Sequence, residues 1–293
     1  MNHLNSFAGE LIGTFVLTFF GCGAVATSVL YSPNMGVFQV AGIWGIGVTL
    51  AIYATRHLSC AHLNPAVSLA MVMAGRMKPW KLPVYLAAQL MGAVSAGLAI
   101  LAVFSNSIAN FETVHHIVRG TPDSVKTAMM FGEYFPNPSF PAALSDVSLM
   151  KGFFVEAIGT FLLVTIILLL TEDCNVGRPS SDIAPIFIGL TVTAIISILS
   201  PLTQAGINPA RDFGPRLVAY FSGWREVAIP GPRNGFFTVY IMGPFLGGAV
   251  SAMLFSIVLY PLMQVKNSIC ACEARCPTLL SKGLNFVRRL KAH

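Results

Sequence analysis

Two short phrases occur twice in this chain, and their duplication constrains its fold more than any other feature. A Glu-x-Ile-Gly-Thr-Phe phrase begins at Glu10 and again at Glu156, and an Asn-Pro-Ala phrase follows at Asn64 and again at Asn208. A single Asn-Pro-Ala is an ordinary turn or helix-start signal. Two copies in register with a second repeated phrase indicate an internally duplicated membrane protein.

The composition also favours a membrane protein. Hydrophobic residues make up 55% of the chain and charged residues only 10%, which is far from the balance of a soluble domain. The uncharged stretches are long enough to cross a bilayer, which takes about 20 residues each. They predict six spans, at roughly residues 6–29, 38–57, 82–104, 149–171, 183–202 and 236–261.

A seventh uncharged stretch, around Asn64, is not counted as a span. Proline in the middle of a lipid-exposed helix would leave backbone groups unpaired. We therefore expect a loop that dips into the membrane, followed by a half-helix of about ten residues. The second copy should behave likewise, with a half-helix from Pro209 to about Tyr220.

The number of spans in each repeat determines how the repeats are arranged. Three spans per repeat is an odd number, so the two repeats have opposite orientations and their half-helices meet near the membrane midplane. The expected fold class is an all-α membrane protein, with six transmembrane helices and two half-helices in an inverted repeat.

The net charge of +6 acts as a topology signal. Most of the 18 Lys and Arg residues lie after the last span or in the second-to-third and fourth-to-fifth connections. With six spans these segments share one side, so the positive-inside rule predicts cytoplasmic termini in a plasma or bacterial inner membrane. The same placement argues against a nucleic-acid partner.

We divide the chain into a membrane domain, residues 1–265, and a cytoplasmic basic tail, residues 266–293. The membrane domain contains repeat one (about 6–104), an outer loop (105–148) and repeat two (about 149–262). The cysteines of the tail do not match a common zinc pattern; they are Cys270, Cys272 and Cys276. No metal-ligand cluster, cofactor motif or nucleophile–base set is evident, so we expect neither a cofactor nor an enzyme.

The residue types of the Asn-Pro-Ala phrases suit helix starts that line a pore. The Asn side-chain oxygen can cap free backbone N–H groups, and Pro suits the first helical position. The amide N–H groups of Asn64 and Asn208 can then face the midplane, where the positive ends of two helix dipoles converge. Cations are repelled there, whereas a neutral hydroxyl can accept hydrogen bonds. The pattern predicts a permeation pathway.

Arg211 is a candidate selectivity residue. A cation in the first turn of a helix faces the positive end of the dipole, and it is rare in an apolar membrane segment. The first repeat has Val67 at the same place, so the fold does not require the arginine. Such a violation of local rules tends to mark a functional site.

The repeated glutamates, Glu10 and Glu156, allow two interpretations. Intramembrane carboxylates often serve proton relays, which would favour a coupled transporter. Alternatively, each carboxylate accepts hydrogen bonds from the otherwise unpaired N–H groups of the neighbouring loop. We favour the second because the glutamate is duplicated together with the loop. We likewise expect His62 to hold its loop rather than to titrate.

These motifs resemble those of the aquaporin (major intrinsic protein) family over about residues 6–262. The resemblance implies the aquaporin fold and a homotetramer with one pore per subunit. Asp212, Arg216, Trp44 and the outer-loop stretch 134–138 are similar to the glycerol-facilitator (aquaglyceroporin) branch. The matching phrases are Ala61-His62-Leu63-Asn64-Pro65-Ala66-Val67 and Asn208-Pro209-Ala210-Arg211-Asp212-Phe213-Gly214-Pro215-Arg216.

The resemblance also implies which residues line the pore. The four filter positions correspond to Trp44, Ile196, Ala205 and Arg211. Glycerol facilitators have Gly where Ile196 stands and an aromatic where Ala205 stands, so this set is more similar to the plant nodulin-26-like channels. Backbone carbonyls of the two dipping loops would accept hydrogen bonds from the solute; they belong to Cys60, Ala61, His62, Leu63, Gln204, Ala205, Gly206 and Ile207.

The predicted function is passive permeation of water, glycerol and other small uncharged solutes, such as urea or protonated lactic acid, with protons and ions excluded. Arg211 would donate hydrogen bonds to solute hydroxyls, and Trp44 would pack against the carbon backbone. The alternative is a proton-coupled secondary transporter of a small polar solute, which can also contain inverted repeats and broken helices. Its transport would saturate and respond to a proton gradient through Glu10 or Glu156.

Overall fold

The structure, a computed structural model, describes residues 3–32, 34–140 and 147–264. Within these ranges, six helices are long and apolar enough to cross a membrane. The described residues contain no β-strand. The predicted all-α membrane fold is thus confirmed, whereas the basic tail with its three cysteines lies outside the described residues.

The helices of the two repeats follow the predicted order. The first repeat contains α1 (His3–Leu30), α2 (Val37–Thr55), α3 (Pro65–Met73) and α4 (Leu82–Val114). The short α5 (Val125–Ala128) lies between the repeats, and the second repeat contains α6 (Leu149–Leu170), α7 (Ala184–Thr203), α8 (Pro209–Ala219) and α9 (Gly243–Leu254). The sixth span includes α9 and the π-helical turns on either side of it, Phe237–Met242 and Phe255–Leu259.

The prediction of an outer loop beginning at residue 105 is wrong, because α4 continues to Val114. The extension stays helical because it is held by buried contacts. Ile108 is buried in the core. Glu112 accepts a hydrogen bond from Thr127 (2.9 Å) and forms an ion pair with Arg119 (2.9 Å). The polar residues at this end of α4 therefore anchor the connection instead of starting it.

The two repeats pack by the same scheme. α1 packs against α2 and α4, just as α6 packs against α7 and α9. α2 and α7 contact each other across the two repeats. Each half-helix packs on the last long helix of the other repeat, α3 on α9 and α8 on α4. Each repeat thus needs the other to bury its half-helix.

Both half-helices begin with an asparagine N-cap. Oδ1 of Asn64 accepts a hydrogen bond from the N–H of Ala66 at 2.9 Å. Oδ1 of Asn208 accepts from the N–H groups of Ala210 and Arg211 at 3.1 and 3.3 Å. α3 has 9 residues and α8 has 11. At about 1.5 Å per residue, each crosses only about half of a bilayer core.

Two faces of the molecule are distinguished by the connections they carry. Because six spans are an even number, both ends of the described chain lie on one face, here called the terminal face. The α2–α4 and α6–α7 connections also lie on the terminal face. The α4–α6 and α7–α9 connections lie on the opposite face.

Candidate functional site

A cavity of about 730 Å³ runs between the two repeats. At the terminal face it is lined by charged residues that include Arg56, Arg76 and Asp173. It passes both dipping loops and reaches Trp44 and Arg211. All four predicted filter residues line it, together with Asn64, Asn208, residues 60–63 and residues 205–207.

The two dipping loops have the same unusual backbone conformation. Ala61 and Leu63 have φ of 49° and 53°, and the equivalent Ala205 and Ile207 have φ of 58° and 44°. This left-handed region disfavours residues other than glycine by about 1–3 kcal/mol each. The loops therefore need a strong partner that holds them in this conformation.

In the first repeat this partner is the buried carboxylate of Glu10. Its Oε1 accepts hydrogen bonds from the hydroxyl of Ser59 (2.8 Å) and the N–H of His62 (3.0 Å). Its Oε2 accepts from the N–H of Leu63 (2.7 Å) and the side-chain amide of Gln89 (2.8 Å). The carboxylate thus satisfies two loop N–H groups and lies fully buried beside the loop.

Glu156 has the same role in the second repeat. Oε1 accepts from the hydroxyl of Thr203 (2.6 Å) and the N–H of Gly206 (2.9 Å), and Oε2 accepts from the N–H of Ile207 (2.6 Å). These donors occupy the positions that the hydroxyl of residue 59 and the two loop N–H groups occupy around Glu10. The repeated glutamate is therefore the support of the repeated loop.

The glycine of the repeated phrase lies where α1 and α6 approach these loops. A Cβ on Gly13 would overlap the side chain of Leu63, and a Cβ on Gly159 would lie 2.8 Å from the side chain of Ile207. The glycine stands three residues after the glutamate and so shares its helix face. The sequence showed that this glycine is repeated. It did not show that the side chains of Leu63 and Ile207, each just before an asparagine, occupy the space that a Cβ on the glycine would take.

The two asparagines connect the repeats directly. Nδ2 of Asn64 donates to the carbonyl of Ile207 at 2.9 Å, and Nδ2 of Asn208 donates to the carbonyl of Leu63 at 2.8 Å. Each amide thus binds the opposite loop with one N–H. Its second N–H remains as a donor at the cavity. Two of the predicted pore carbonyls are therefore engaged by asparagine, which the sequence did not indicate.

Gln204, whose backbone carbonyl was predicted to face the pore, is not among the residues that line the cavity. Its side chain contacts the α4–α6 connection, where Oε1 accepts a hydrogen bond from the N–H of Tyr134 at 2.8 Å. Its own N–H donates to the carbonyl of Ser200 at 2.9 Å. Gln204 ends α7 and holds the connection that covers the opposite face.

Two of the predicted filter residues, Arg211 and Trp44, are in contact in the cavity. The guanidinium carbon of Arg211 lies 3.9 Å from the centroid of the Trp44 ring. A Cβ on Gly21 would overlap that ring, so the Trp44 ring fits against α1 only because residue 21 is a glycine. Ile196 and Ala205 are buried and line the same cavity. The lining of the cavity combines a cation, an aromatic face and aliphatic groups.

One residue of this region was missed by the sequence analysis. The carboxylate of Glu133 forms an ion pair with the guanidinium of Arg211, and each side chain is only 4% exposed. Glu133 lies in the α4–α6 connection, far from Arg211 in sequence. A single charge within the apolar stretch 128–135 was the signal that could have drawn attention to it.

The remaining polar groups near the pore serve the loops. The ring nitrogen Nδ1 of His62 lies 3.2 Å from the hydroxyl of Ser68, within hydrogen-bond distance. Asp212 and Arg216 form a buried ion pair, with 3.0 Å between Arg216 Nε and Asp212 Oδ2. Among the described residues, no group of three or more His, Cys, Asp or Glu side chains could hold a metal ion.

The comparison with protein families agrees with this geometry. Residues 1–255 match the model of the family described as "Major intrinsic protein". The chain belongs to this family. The resemblance suggested by the two Asn-Pro-Ala phrases is thereby confirmed.

Relatives of this major intrinsic protein include bacterial uptake facilitators. It is 40% identical to the "Glycerol uptake facilitator protein" of Pseudomonas aeruginosa over 244 residues, which cover 83% of this chain and 84% of the relative. It is 38% identical to the Escherichia coli K12 protein of the same name, over 84% of this chain and 85% of that one. A "Propanediol uptake facilitator" of Salmonella typhimurium is 36% identical, over 84% and 90%.

The fold is also similar to a solved structure, the aquaglyceroporin from Plasmodium falciparum. The TM-score is 0.78 with 26% sequence identity, and the match covers 90% of this chain and all of that one. The major intrinsic protein described here is thus a multi-pass membrane protein of the aquaporin fold.

Proposed function

We propose that this major intrinsic protein is a passive, bidirectional channel for glycerol, water and other small uncharged solutes. The observation that carries the proposal is the meeting of two capped half-helices at one cavity that ends at Arg211 and Trp44. The names of the bacterial relatives, which refer to glycerol and propanediol uptake, support small polyols as the solute class.

The half-helices account for the exclusion of cations. Each contributes roughly half of a positive elementary charge at its N-terminus. Both N-termini meet where Asn64 and Asn208 bind the opposite loops. A hydrated cation or a hydronium ion is repelled at this point, whereas a hydroxyl can accept from the free N–H of either amide.

Arg211 and Trp44 divide the recognition of a polyol between them. The guanidinium supplies N–H donors for the hydroxyl groups, and the indole face packs against the CH groups. Ile196 and Ala205 give this filter its nodulin-26-like composition, with no second aromatic wall. We propose that the altered opening still passes glycerol and also admits urea or protonated lactic acid.

The alternative, a proton-coupled transporter, would need a carboxylate that is free to bind and release protons. Glu10 accepts four hydrogen bonds and Glu156 accepts three. Protonation of either glutamate would remove acceptors from loop N–H groups that have no other partner among the described residues. Their positions favour a structural role and thus a channel.

We further propose that the terminal face is cytoplasmic and that the channel forms a homotetramer in the cell membrane. Arg56, Arg76 and Arg178 lie on the terminal face, and six further basic residues follow the last span in the sequence, so the excess of positive charge favours a cytoplasmic terminal face. Large apolar side chains cover the outside of the spans, where they can face lipid or a neighbouring subunit. Crosslinking in native membranes and protease access to the C-terminal tail test these two statements.

Stopped-flow light scattering on proteoliposomes tests the proposed function. Water, glycerol, urea and lactic acid are offered in turn, with protein-free liposomes and an Arg211→Val variant as comparisons. We expect glycerol flux that does not saturate and does not change when a pH difference is imposed. Flux that follows the proton gradient would overturn the channel in favour of the transporter.

The placement of Ile196 and Ala205 has its own test. Ala205→Phe should narrow the filter and suppress urea and lactic acid more than water, because it adds the missing aromatic wall. Ile196→Gly combined with Ala205→Phe should restore the profile of a glycerol facilitator. Urea and lactic acid fluxes that stay unchanged relative to water in Ala205→Phe would remove residue 205 from the filter.

A further inference from the structure

Arg211 is not an isolated cation at the end of the cavity. Its guanidinium forms an ion pair with the carboxylate of Glu133, and both side chains are 4% exposed. Glu133 lies in the α4–α6 connection and is not among the residues that line the cavity. Since Arg211 also lies 3.9 Å from the Trp44 ring centroid, the guanidinium is held between a carboxylate and an aromatic face.

The backbone of Glu133 is fixed by the buried pair Asp212 and Arg216. Its N–H donates to Oδ1 of Asp212 at 2.6 Å, and its carbonyl accepts from Nη2 of Arg216. Arg216 also donates from Nη1 to the carbonyl of Ala228 at 2.8 Å. Asp212 and Arg216 thus bind the first part of α8 to the α4–α6 connection. Because they fix the backbone of Glu133, they place its carboxylate beside Arg211.

We propose that Glu133 is a positioning residue that holds Arg211 in the filter and cancels its charge. The inference rests on the proposed channel function. The filter then offers N–H donors without a net positive charge. A neutral polyol can still be bound by these donors, whereas a small anion finds no uncompensated cation to attract it.

This proposal separates two tasks that a lone arginine would combine. Repulsion of cations belongs to the half-helix N-termini at Asn64 and Asn208, which carry positive potential along the pathway. Without Glu133, that potential and the charge of Arg211 would add and would favour anions. The carboxylate therefore makes the filter suitable for uncharged solutes in particular.

The test compares Glu133→Gln with wild type and with Glu112→Gln in proteoliposomes. Glu112 is a matched control, because it is also a buried carboxylate of the opposite face and pairs with Arg119 at 2.9 Å, away from the cavity. Glycerol flux is measured in sodium nitrate and in sodium gluconate. Nitrate is small enough to reach Arg211, and gluconate is a bulky reference anion.

We expect nitrate to reduce the glycerol flux of Glu133→Gln about threefold relative to gluconate, because the guanidinium is left buried without its counter-charge. Wild type and Glu112→Gln should show the same flux in both salts. Equal fluxes in Glu133→Gln, or the same nitrate sensitivity in Glu112→Gln, would overturn the proposal.

A double variant, Arg211→Gln with Glu133→Gln, covers the case in which Glu133→Gln does not fold. If the double variant folds while the single one does not, the uncompensated arginine is the cause, as proposed. If neither folds, Glu133 is needed for reasons other than Arg211 and the proposal fails. Absence of glycerol flux in wild type would instead refute the proposed function.

Discussion

A missing side chain determines where the filter tryptophan stands. Gly21 of α1 leaves space for the Trp44 ring, whose place a Cβ at residue 21 would take. The ring in turn lies against the guanidinium of Arg211. Gly21 and Trp44 lie on different helices and are distant in sequence, so only the structure shows the role of Gly21.

Gly21→Ala should therefore push Trp44 towards the pore. Overpacking at such a contact costs about 1–3 kcal/mol, and part of it is relieved by movement of the ring. We expect glycerol flux to fall more than water flux, measured by stopped-flow light scattering. Gly23→Ala is the control, because its Cβ would meet Ile100 at an ordinary 3.6 Å. Equal effects of both variants would show that Gly21 does not set the position of Trp44.

The loop carboxylates give a second prediction at this scale. Glu156→Gln keeps one carbonyl oxygen but turns an N–H2 group towards a backbone N–H of Gly206 or Ile207. Leaving a buried donor unpaired costs about 1–3 kcal/mol, so the unfolding temperature and folded yield should fall. The exposed Glu226→Gln is the control. A folded Glu156→Gln protein of normal stability would contradict the supporting role.

The sequence pointed to residues that recur in both repeats and to Arg211, which departs from the repeat, but not to Glu133, whose contact with Arg211 depends on the fold. The N-caps and loop carboxylates recur with their loops, so duplication pointed to Asn64, Asn208, Glu10 and Glu156. Glu133 has no counterpart in the other repeat, and its one local signal is that it is a single charge in an apolar stretch. Its position depends on how the α4–α6 connection folds over α8, which no spacing in the sequence encodes.

At the scale of elements, the α6–α7 connection is fastened to the half-helix region by charge. Arg76 follows α3 and forms an ion pair with Glu172, and its Nη1 donates to Thr171 at 2.8 Å. Oε1 of Glu172 accepts from the N–H of Cys174 at 3.0 Å. Burial alone would raise the pKa of Glu172, but these hydrogen bonds and Arg76 outweigh it and lower the pKa.

This contact should depend on pH in a defined direction. A lowered carboxylate pKa means that the ionised form stabilises the connection at neutral pH, and that this contribution is lost as pH falls through the pKa of the folded state. Glu172→Gln should mimic the acid form and weaken the connection by about 1 kcal/mol. Hydrogen exchange of residues 172–183, corrected for intrinsic rates, measures both effects.

Asp173→Asn is the matched control for this prediction. Asp173 also pairs with an arginine, Arg178, but its side chain is 90% exposed, so solvent screens the pair. The variant should leave hydrogen exchange of the connection unchanged. If Glu172→Gln also left the hydrogen exchange of residues 172–183 unchanged, the Arg76–Glu172 pair would not stabilise the α6–α7 connection.

The lengths of elements were predicted well where lipid determines them and poorly where protein does. The spans end near the predicted residues because hydrophobicity stops there. α4 runs beyond its apolar part because Ile108 and Glu112 find buried partners in the α4–α6 connection. These partners lie outside the apolar segment, so the hydropathy of α4 does not predict where the helix ends.

At the scale of the whole molecule, the two repeats are joined by a reciprocal exchange at the centre. Asn64 and Asn208 each cap their own half-helix with Oδ1 and bind the other repeat with Nδ2. The duplication in the sequence predicted that the half-helices meet. It did not predict that each asparagine would bind its own repeat through Oδ1 and the other repeat through Nδ2.

Asn208→Asp separates these two uses. Aspartate retains the acceptor for the N-cap but lacks the donor for the carbonyl of Leu63 and brings a negative charge to the midplane. We expect a loss of about 1–3 kcal/mol in stability, seen as a lower unfolding temperature. A sodium leak should also appear in liposomes, because the positive potential at the centre is cancelled.

Asn137→Asp provides the comparison. Asn137 has the same pattern in the α4–α6 connection, with Oδ1 accepting from Ser139 at 2.9 Å and Nδ2 donating to Ser200 at 2.8 Å. Its replacement should lower stability without a sodium leak. A leak in both variants, or in neither, would mean that the central asparagine does not govern ion exclusion.

The shape of the cavity has a consequence for inhibitors. The cavity is open and charged at the terminal face and ends at Arg211 and Trp44, close to the opposite face. This asymmetry cannot rectify a passive flow, since the concentration difference alone sets its direction. It does make access one-sided: a molecule too large for the filter can contact the whole lining of the cavity when it enters from the terminal face, whereas from the other side it cannot pass Arg211 and Trp44 to reach that lining.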